Sequence, residues 1–521
     1  QPNAAERAAL AAAGYTGFPL AGANAANTRF PFWRCIANVL LNDEPGEKCN
    51  ALVNRTQTTQ GQWGLSAQAT LLGDIAGKKH QFTGGAAYDA SQVKFNQTTQ
   101  IAFLNPDRSV TALPAFADGI TGGTVDGAPF DHRVDLNGRA HTWSVYATDT
   151  LSLTDKVHVT ASGRYNQTRV VTRDQITPGG GPGSLDGAHT YSRFNPAVGM
   201  NLIFDKRFKA YVGYSEGSRA PSVIELGCAD PANPCRLPNS LAGDPPLKQV
   251  VARTLEAGVH GQLGGANSGT RWNAGVFRTE NVDDILFVAA PNNNQFGYFK
   301  NFGKTRREGF ESGISHKTGA FGAGIHYTWL NATYQSSEVV NGVGNSANDS
   351  ALAGNAGLPG SIAIRPGNQI PLIPRHLFKA NVDYQFTPAF GAGVNMIAVG
   401  SSYARGNENN LHAPDGRVYL GPGKSGGYSV FNLNAHYQAS KQLRFFAQIN
   451  NLFDRQYSTA AQLGPNGFTA NGAFIARPLP ATAGGDFPVI QSTFYAPGAP
   501  RLAWFGVRYT LDLPKPAAKT D

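Results

Sequence analysis

The stretch Val157-His158-Val159-Thr160-Ala161-Ser162-Gly163-Arg164-Tyr165-Asn166 decides the reading of this chain. Every odd position is apolar or small, apart from the phenol of Tyr165, and every even one is polar. The same alternation recurs in Phe378-Lys379-Ala380-Asn381-Val382-Asp383-Tyr384, in Phe431-Asn432-Leu433-Asn434-Ala435-His436-Tyr437 and in Thr254-Leu255-Glu256-Ala257-Gly258-Val259-His260. Period two places unlike residues on the two faces of a strand. A soluble sandwich also alternates, with one face on its core and the other in water. The connections separate the two cases.

Short turns are predicted near Gly73–Lys79, Thr154-Asp155, Asp205-Lys206, Gly264–Gly269, Thr387–Ala389 and Ala439–Gln442. Long polar connections lie between them, at Gln97–Asn137, Arg173–His189, Ser218–Val250, Ser336–Pro374, Ala404–Gly427 and Thr459–Pro500. Compact soluble domains seldom carry structureless loops beyond about 12–15 residues. Outer-membrane barrels do, with short periplasmic turns and long external loops. The fold class expected is therefore all-β, a transmembrane antiparallel β-barrel.

Composition agrees. Charged residues are 15% of the 521, and glycine numbers 61. No stretch approaches the roughly 18–20 consecutive apolar residues of a spanning helix. The most apolar runs, Ile285–Ala290 and Met396–Val399, are strand-sized. Only helices and closed barrels satisfy their backbone groups in lipid, so a membrane reading means a barrel. The net charge of +9 is spread along the chain and is compatible with an anionic ligand or with lipopolysaccharide phosphates. The four cysteines form two close pairs, Cys35/Cys49 and Cys228/Cys235, in loop-like segments without zinc spacing. They are read as local disulfides of an oxidising compartment. No nucleophile elbow, HExxH or P-loop is present, and the reading calls for no enzyme, no cofactor, no metal and no nucleic acid.

About fifteen strands are expected, the last at Arg501–Leu511 and the first near Thr58–Leu72. If the last ends in the periplasm, every short turn falls on the periplasmic side and the first strand descends from the cell surface. Residues 1–57 then form an external loop segment, 58–511 the barrel strands and loops, and 512–521 a polar tail. Residues 1–17 (QPNAAERAALAAAGYTG) lack a basic segment leading into an apolar core. An even-stranded barrel cannot start on a descending strand, so earlier strands are expected to be missing from this chain.

Several segments resemble the TonB-dependent outer-membrane receptor family. Tyr214-Ser215-Glu216-Gly217-Ser218-Arg219-Ala220-Pro221 is similar to the family's strand-end box, with Ser218 where a Phe is usual. Asp244-Pro245-Pro246-Leu247-Lys248 with Glu256-Ala257-Gly258 resembles its next landmark. Asn301-Phe302-Gly303-Lys304 with Arg307-Glu308-Gly309-Phe310-Glu311, Pro374-Arg375-His376 and Asn450-Asn451-Leu452-Phe453-Asp454-Arg455-Gln456-Tyr457 follow in the family's order. The resemblance implies a roughly 22-stranded barrel of the bacterial outer membrane, with an N-terminal plug and a TonB box. It also implies import of a scarce ligand, a ferric siderophore or other iron chelate, powered by the TonB–ExbB–ExbD complex acting through the plug. Neither plug nor box is found in these residues, and about seven strands of such a barrel are not accounted for. A passive porin-like or adhesin barrel is the alternative.

Candidate ligand-binding residues are Arg219 and Glu225 near a strand rim, Arg236 beside Cys235, and the loop aromatics Tyr403 and Tyr419. Phe487, Phe494 and Tyr495 suit stacking equally well. Each has a bland alternative: wall hydrogen bonding for Arg219 and Glu225, a solvated loop cation for Arg236. The family's haem receptors place a His between the Arg-Ala-Pro and Asn-Pro-x-Leu-like boxes, and none lies between Arg219 and Leu247, although His132, His189 and His412 lie in loops. His158, Arg164, Lys379, Asp383, Asn434, His436, Arg444, Gln448 and Arg508 are expected to line the lumen.

Overall fold

The computed structural model describes residues 2–18, 20, 32–41, 51–105, 107–112, 122–125, 128–180, 184–205, 207–227, 235–236, 247–265, 268–290, 293–473, 479–480, 482–486 and 488–511. Fifteen long strands follow one another: β1 Ala51–Ile75, β2 Lys78–Leu104, β3 Ala128–Thr154, β4 Val157–Asp174, β5 Gly187–Ile203, β6 Lys209–Arg219, β7 Val250–Gly264, β8 Ser268–Ala290, β9 Asn293–Thr318, β10 Phe321–Tyr334, β11 His376–Gln385, β12 Phe390–Val399, β13 Tyr428–Gln438, β14 Leu443–Asn450 and β15 Leu502–Tyr509. Each pairs antiparallel with the next, so the sheet is an unbroken meander. No helix among the described residues is long and apolar enough to cross a membrane.

Every connection after an odd strand is short. Between β1 and β2, Ala76 (φ 51°) and Gly77 (φ 72°) both have positive φ. That is the two-residue turn whose twist matches paired strands. Between β3 and β4 the Thr154 hydroxyl accepts from the amides of Lys156 and Val157. A further short turn, Gly319-Ala320, joins β9 to β10 with Gly319 at φ 53°. The sequence reading had not singled it out, because Gly319-Ala320 runs on into the equally small residues Gly322, Ala323 and Gly324 of β10.

The register makes the two faces explicit. On one face, Ser152 meets His158, Thr150 meets Thr160 and Thr148 meets Ser162, each through a side-chain hydrogen bond of 2.8–2.9 Å. Arg164 donates to Ser144 Oγ and Asn166 Oδ1 on that face. The residues expected to line the lumen fall on it: Lys379 opposes Ile397 and Asp383 opposes Gly393, while Asn434 and His436 oppose Gln448 and Phe446, and Arg444 opposes Arg508. The other face exposes Phe321, Ile325, Trp329, Val382, Tyr384, Phe505, Val507 and Tyr509. From Phe321 to Trp329 is roughly 27 Å of strand, about 20 Å along the normal at a usual barrel tilt, which is close to the height of a lipid-facing band.

Several boundaries differ from those expected. The first strand begins at Ala51 and not near Thr58, so residues 51–57 belong to it. The closing strand is Leu502–Tyr509, and Leu511 lies beyond it. Both ends of Gln97–Asn137, expected as a loop, continue β2 and β3 (97–104 and 128–137), which reach 27 residues each. Crossing takes only about 9–11 residues, so these hairpins stand far above the membrane. Periodicity weakened there because, past the lipid, nothing requires an apolar outer face.

Residues 2–41 contain two helices, α1 Ala4–Ala12 and α2 Phe32–Leu40, within the segment read as loop. Asn3 caps α1 in a reciprocal box with Glu6. Leu10, Cys35, Ile36 and Ala37 form a small core edged by Tyr15, Phe18 and Trp33. Glu6, 2% exposed, pairs with Arg34 at 3.0 Å. Cys35 is disulfide-bonded, while Cys49 and Cys228 lie outside the described residues, as do the side chain of Cys235 and the tail 512–521.

Among the described residues the outer edges of β1 and β15 have no partner strand. β15 is fixed at its start by the Asn450–Tyr457 segment. Asn451, 3% exposed and at φ 50°, donates to the carbonyls of Arg455 and Ala499 and accepts from the Arg455 amide. Asp454 accepts from the Arg501 amide at 3.0 Å. Asn451→Ala is expected to cost about 2–3 kcal/mol through these lost bonds, read as a lower thermal unfolding midpoint in detergent with the heat-modifiable gel shift retained below it.

Candidate functional site: the external mouth of the lumen

The inner wall changes character towards the long-loop end. Low on the wall it is polar, as described. Higher up, Phe95, Val134, Leu136 and Val170 turn inward and are buried against Val223, Leu226, Leu247 and Val250. Two of these come from a short helix, α3 Val223–Gly227, in the β6–β7 connection. Gly138 makes room for it: a Cβ there would lie 2.3 Å from Val223 Cγ1. The loop is thus folded over the inner face of β3 and β4.

Arg219 ends β6 and grips Glu225 of α3 with two bonds, Nη1–Oε2 at 2.6 Å and Nη2–Oε1 at 2.9 Å. The Ser222 amide also donates to Glu225 Oε2 at 2.7 Å, and Ser222 Oγ accepts from the Glu225 amide. Burial pushes the Glu225 carboxyl up, but the Arg219 guanidinium and the Ser222 amide outweigh it and hold the group below the usual carboxylate range. Both residues are therefore spent on holding the loop, with half of the Arg219 side chain still exposed.

Arg219 also feels the charge of Asp284. Asp283 sits at φ 53°, which breaks the alternation of β8 and turns Asp284 towards Thr305 and Arg307 of β9, at 2.5 and 3.6 Å. The Asn301 side chain ties the same place to the loop, accepting from the Lys248 amide and donating to the carbonyls of Lys248 and Asp283. Tyr334 lies within electrostatic reach of Asp284, Arg307, Glu408 and Arg405. A belt of mixed charge therefore runs around the mouth from β6 to the β12–β13 loop. Sequence reading found its Arg219 and Glu225 end. Asp284, Arg307 and Arg405 were missed, because only the left-handed turn at Asp283 and the loop fold bring them there.

The loops after β10, β12 and β14 pack into one cap. Asn345, fully buried, donates to the Gly406 carbonyl and to Asn409 Oδ1. Asn407 donates to the Gly423 carbonyl and accepts from the His412 amide. Tyr419, 2% exposed, accepts from the Gly357 amide and meets His412 edge-on. It is a core residue of the cap as folded. Tyr403 is half-buried, with Lys424 Nζ 4.4 Å above its ring. Phe494 and Tyr495 stay exposed on the Gln491–Pro497 strand. The backbone of Arg236 pairs with Phe296, but its side chain, like those of His132 and Phe487, lies outside the described residues. The described residues contain no cluster of three or more His, Cys, Asp or Glu able to hold a metal.

The family model for the TonB dependent receptor-like β-barrel matches residues 11–452. The chain belongs to that family. Its outer-membrane setting follows, and its sheet is the family's barrel wall. The catecholate siderophore receptor Fiu of Escherichia coli K12 is 23% identical over 407 residues, covering 74% of this chain and 47% of that protein. The chain thus spans about half the length of the curated relatives it matches. The crystal structure of Fiu in its closed form superposes with a TM-score of 0.53 at 18% identity, over 88% of this chain and 54% of that one. The ferric yersiniabactin receptor FyuA of Yersinia pestis gives 0.54 at 14%, over 89% and 56%. PiuA, a siderophore receptor from Acinetobacter baumannii, gives 0.54 at 17%, over 88% and 56%. At these identities the likeness is one of fold. The named relatives are receptors.

Two outcomes test the mouth. Gly138→Val is expected to force α3 off the wall, and losing the contacts of Val223 and Leu226 should raise the undocked population at least about tenfold. Limited proteolysis within 219–250 reads this directly. The second concerns His412, whose Nδ1 accepts from the Ser346 amide at 3.1 Å while Nε2 faces the Gly421 carbonyl at 3.2 Å. The ring is therefore neutral, and burial holds its pKa below the ordinary 6.5. Protonation then favours the opened loop, so the cap should keep full stability above pH 6.5 and lose it as the pH falls below that value. Hydrogen exchange of residues 402–425 at pH 7.5 and 5.5 measures it, and His412→Gln should flatten the difference.

Proposed function

We propose that this chain is the barrel part of a TonB-dependent importer of an iron chelate, most fittingly a ferric siderophore. The observation that carries the proposal is the folded mouth: a loop-capped lumen whose rim gathers Arg219, Arg307 and Arg405 among polar and aromatic side chains. Ferric siderophores are commonly anionic and planar in part, which suits guanidinium donors and ring stacking. Fiu, FyuA and PiuA are named as siderophore receptors, which supports the same ligand class. In this reading Arg219 and Glu225 meet the ligand only when their mutual grip opens, Tyr403 offers a ring at the rim, and Arg236 is a cation of the same loop.

Transport would proceed by binding at the mouth and opening of a plug pulled by the TonB–ExbB–ExbD complex. The barrel residues supply a wall, a gate of loops and counter-charges, and they perform no covalent step. The test is uptake of 55Fe by cells relying on the full-length protein, using ferric enterobactin, ferric citrate, ferrioxamine and haemin in turn. Saturable uptake of one chelate that vanishes on deleting tonB is the expected result. TonB-independent, non-saturable passage of small solutes would replace this reading with a passive barrel.

A further inference from the structure

Four asparagines in the chain are followed directly by glycine: Asn137, Asn341, Asn466 and Asn471. Such an asparagine is chemically labile, because its own main chain can displace the side-chain amide. The attacking atom is the glycine nitrogen, which approaches closely since no Cβ stands beside it. Two further conditions depend on the fold. The glycine N–H must not be donated elsewhere, and the asparagine Cγ must be folded back towards that nitrogen.

The structure separates the four sites on these two conditions. Gly138 lies inside β3, opposite Val93 of β2 and Thr172 of β4, so its amide belongs to the ladder. The Gly472 amide donates to the Thr469 carbonyl at 2.9 Å. At Asn341 the side chain is folded back, with Oδ1 accepting from the Val343 amide at 2.9 Å. There the Gly342 amide is engaged, however, by the Gly360 carbonyl at 2.8 Å.

Asn466 meets both conditions. Its Oδ1 accepts from the Phe468 amide at 3.1 Å, a side-chain turn that closes over the Gly467 nitrogen. Its own amide is tied to the Ile490 carbonyl at 2.7 Å, which fixes the turn at the end of the Ser458–Pro465 strand. Among the described residues the Gly467 amide has no acceptor, and neither has Asn466 Nδ2. The Phe468 N–H also points at the oxygen on which negative charge develops when Cγ is attacked, so it stabilises that charge without reorganising. Asn466, Gly467 and Phe468 are half-buried and so remain open to water.

We propose that Asn466 is a site of spontaneous covalent modification, at which the turn with Gly467 and Phe468 turns the amide into an aspartyl or isoaspartyl acid. The Gly467 nitrogen gives up its proton and bonds to Asn466 Cγ. The bond from Cγ to Nδ2 breaks, and the side-chain nitrogen leaves with that proton as ammonia. Water then adds to either carbonyl of the succinimide ring and opens its C–N bond. The aspartyl product carries a new anion two residues from Phe468, the ring on which Arg108 of the β2–β3 connection rests at 5.0 Å. The isoaspartyl product instead lengthens the main chain by one carbon beside the same contact. Neither depends on what the barrel carries.

The experiment ages the full-length protein in detergent, in 18O-enriched water, and follows all four Asn-Gly sites by peptide mass mapping. In the folded protein Asn466 is expected to deamidate at least about tenfold faster than Asn137, Asn341 or Asn471, and in denatured protein the four rates should converge. The rate at Asn466 should rise with pH, since the nitrogen attacks after losing its proton. Gly467→Ala places a methyl group beside that nitrogen and should slow the step at least about tenfold, with Asn341 and Asn471 unchanged. Heat-modifiable migration checks that the variant is a folded barrel; if it is not, the four-site comparison in the wild type decides alone. The proposal is overturned if another of the four keeps pace with Asn466 in the folded protein. It is equally overturned if denatured protein shows the same lead, or if folded Gly467→Ala reacts at the wild-type rate.

Discussion

Everything in this molecule depends on the peptide groups of a chain in hydrocarbon, which can hydrogen-bond only to a neighbouring strand. The fifteen-strand meander satisfies that demand for every interior strand, and among the described residues the outer edges of β1 and β15 have no partner. The β1 edge is instructive. Leu65 and Leu71 stay exposed on its outer face, and the polar Gln60, Gln62 and Gln68 stand on the inner one. An edge strand built for lipid on one side and a lumen on the other is a wall strand, not a border, since charge or proline would normally blunt a border.

Below the rim the two faces are simple, and the departures from simplicity locate the mouth. Asp283 in the left-handed region turns Asp284 inward, and Asn451 in the same region turns the chain back towards β15. Both bends are secured by side-chain amides, Asn301 at the first and Asn451 itself at the second. The segments that resemble the family are therefore mostly joints. They hold loops to the wall, a structural role that does not depend on what is carried.

The wall was legible in the sequence because lipid imposes it residue by residue. Phe378–Tyr384 and Phe431–Tyr437 alternate since each outward position must be apolar and each inward one faces the lumen. Strand ends were less legible: beyond the lipid, β2 and β3 continue as paired strands whose outer positions bear Lys94 and Arg139, and period two fades. The candidate site was read in part. Arg219 and Glu225 were found from their place after a strand, but Tyr419 looked like a free loop aromatic and is a buried core residue. Its burial depends on Gly357, His412 and Asn348, contacts between loops distant in sequence, and no local pattern announces those.

The same dependence on distant partners explains how the loops are held. Across the cap, nearly all the fixing contacts are neutral hydrogen bonds from Asn345, Asn407, Asn409 and Asn410, while at the mouth they are ion pairs such as Arg219 with Glu225. Neutral amides hold their partners at any salt, so His412 is what gives the cap its dependence on pH. An ion pair half open to water is worth little net energy, since solvent competes for both members. In the proposed binding an incoming anion offers Arg219 a second acceptor at small cost, and releasing Glu225 leaves α3 held by the packing of Val223 and Leu226. The stiff part and the yielding part of the mouth are thus built from different chemistry, and the yielding part is the one that bears charge.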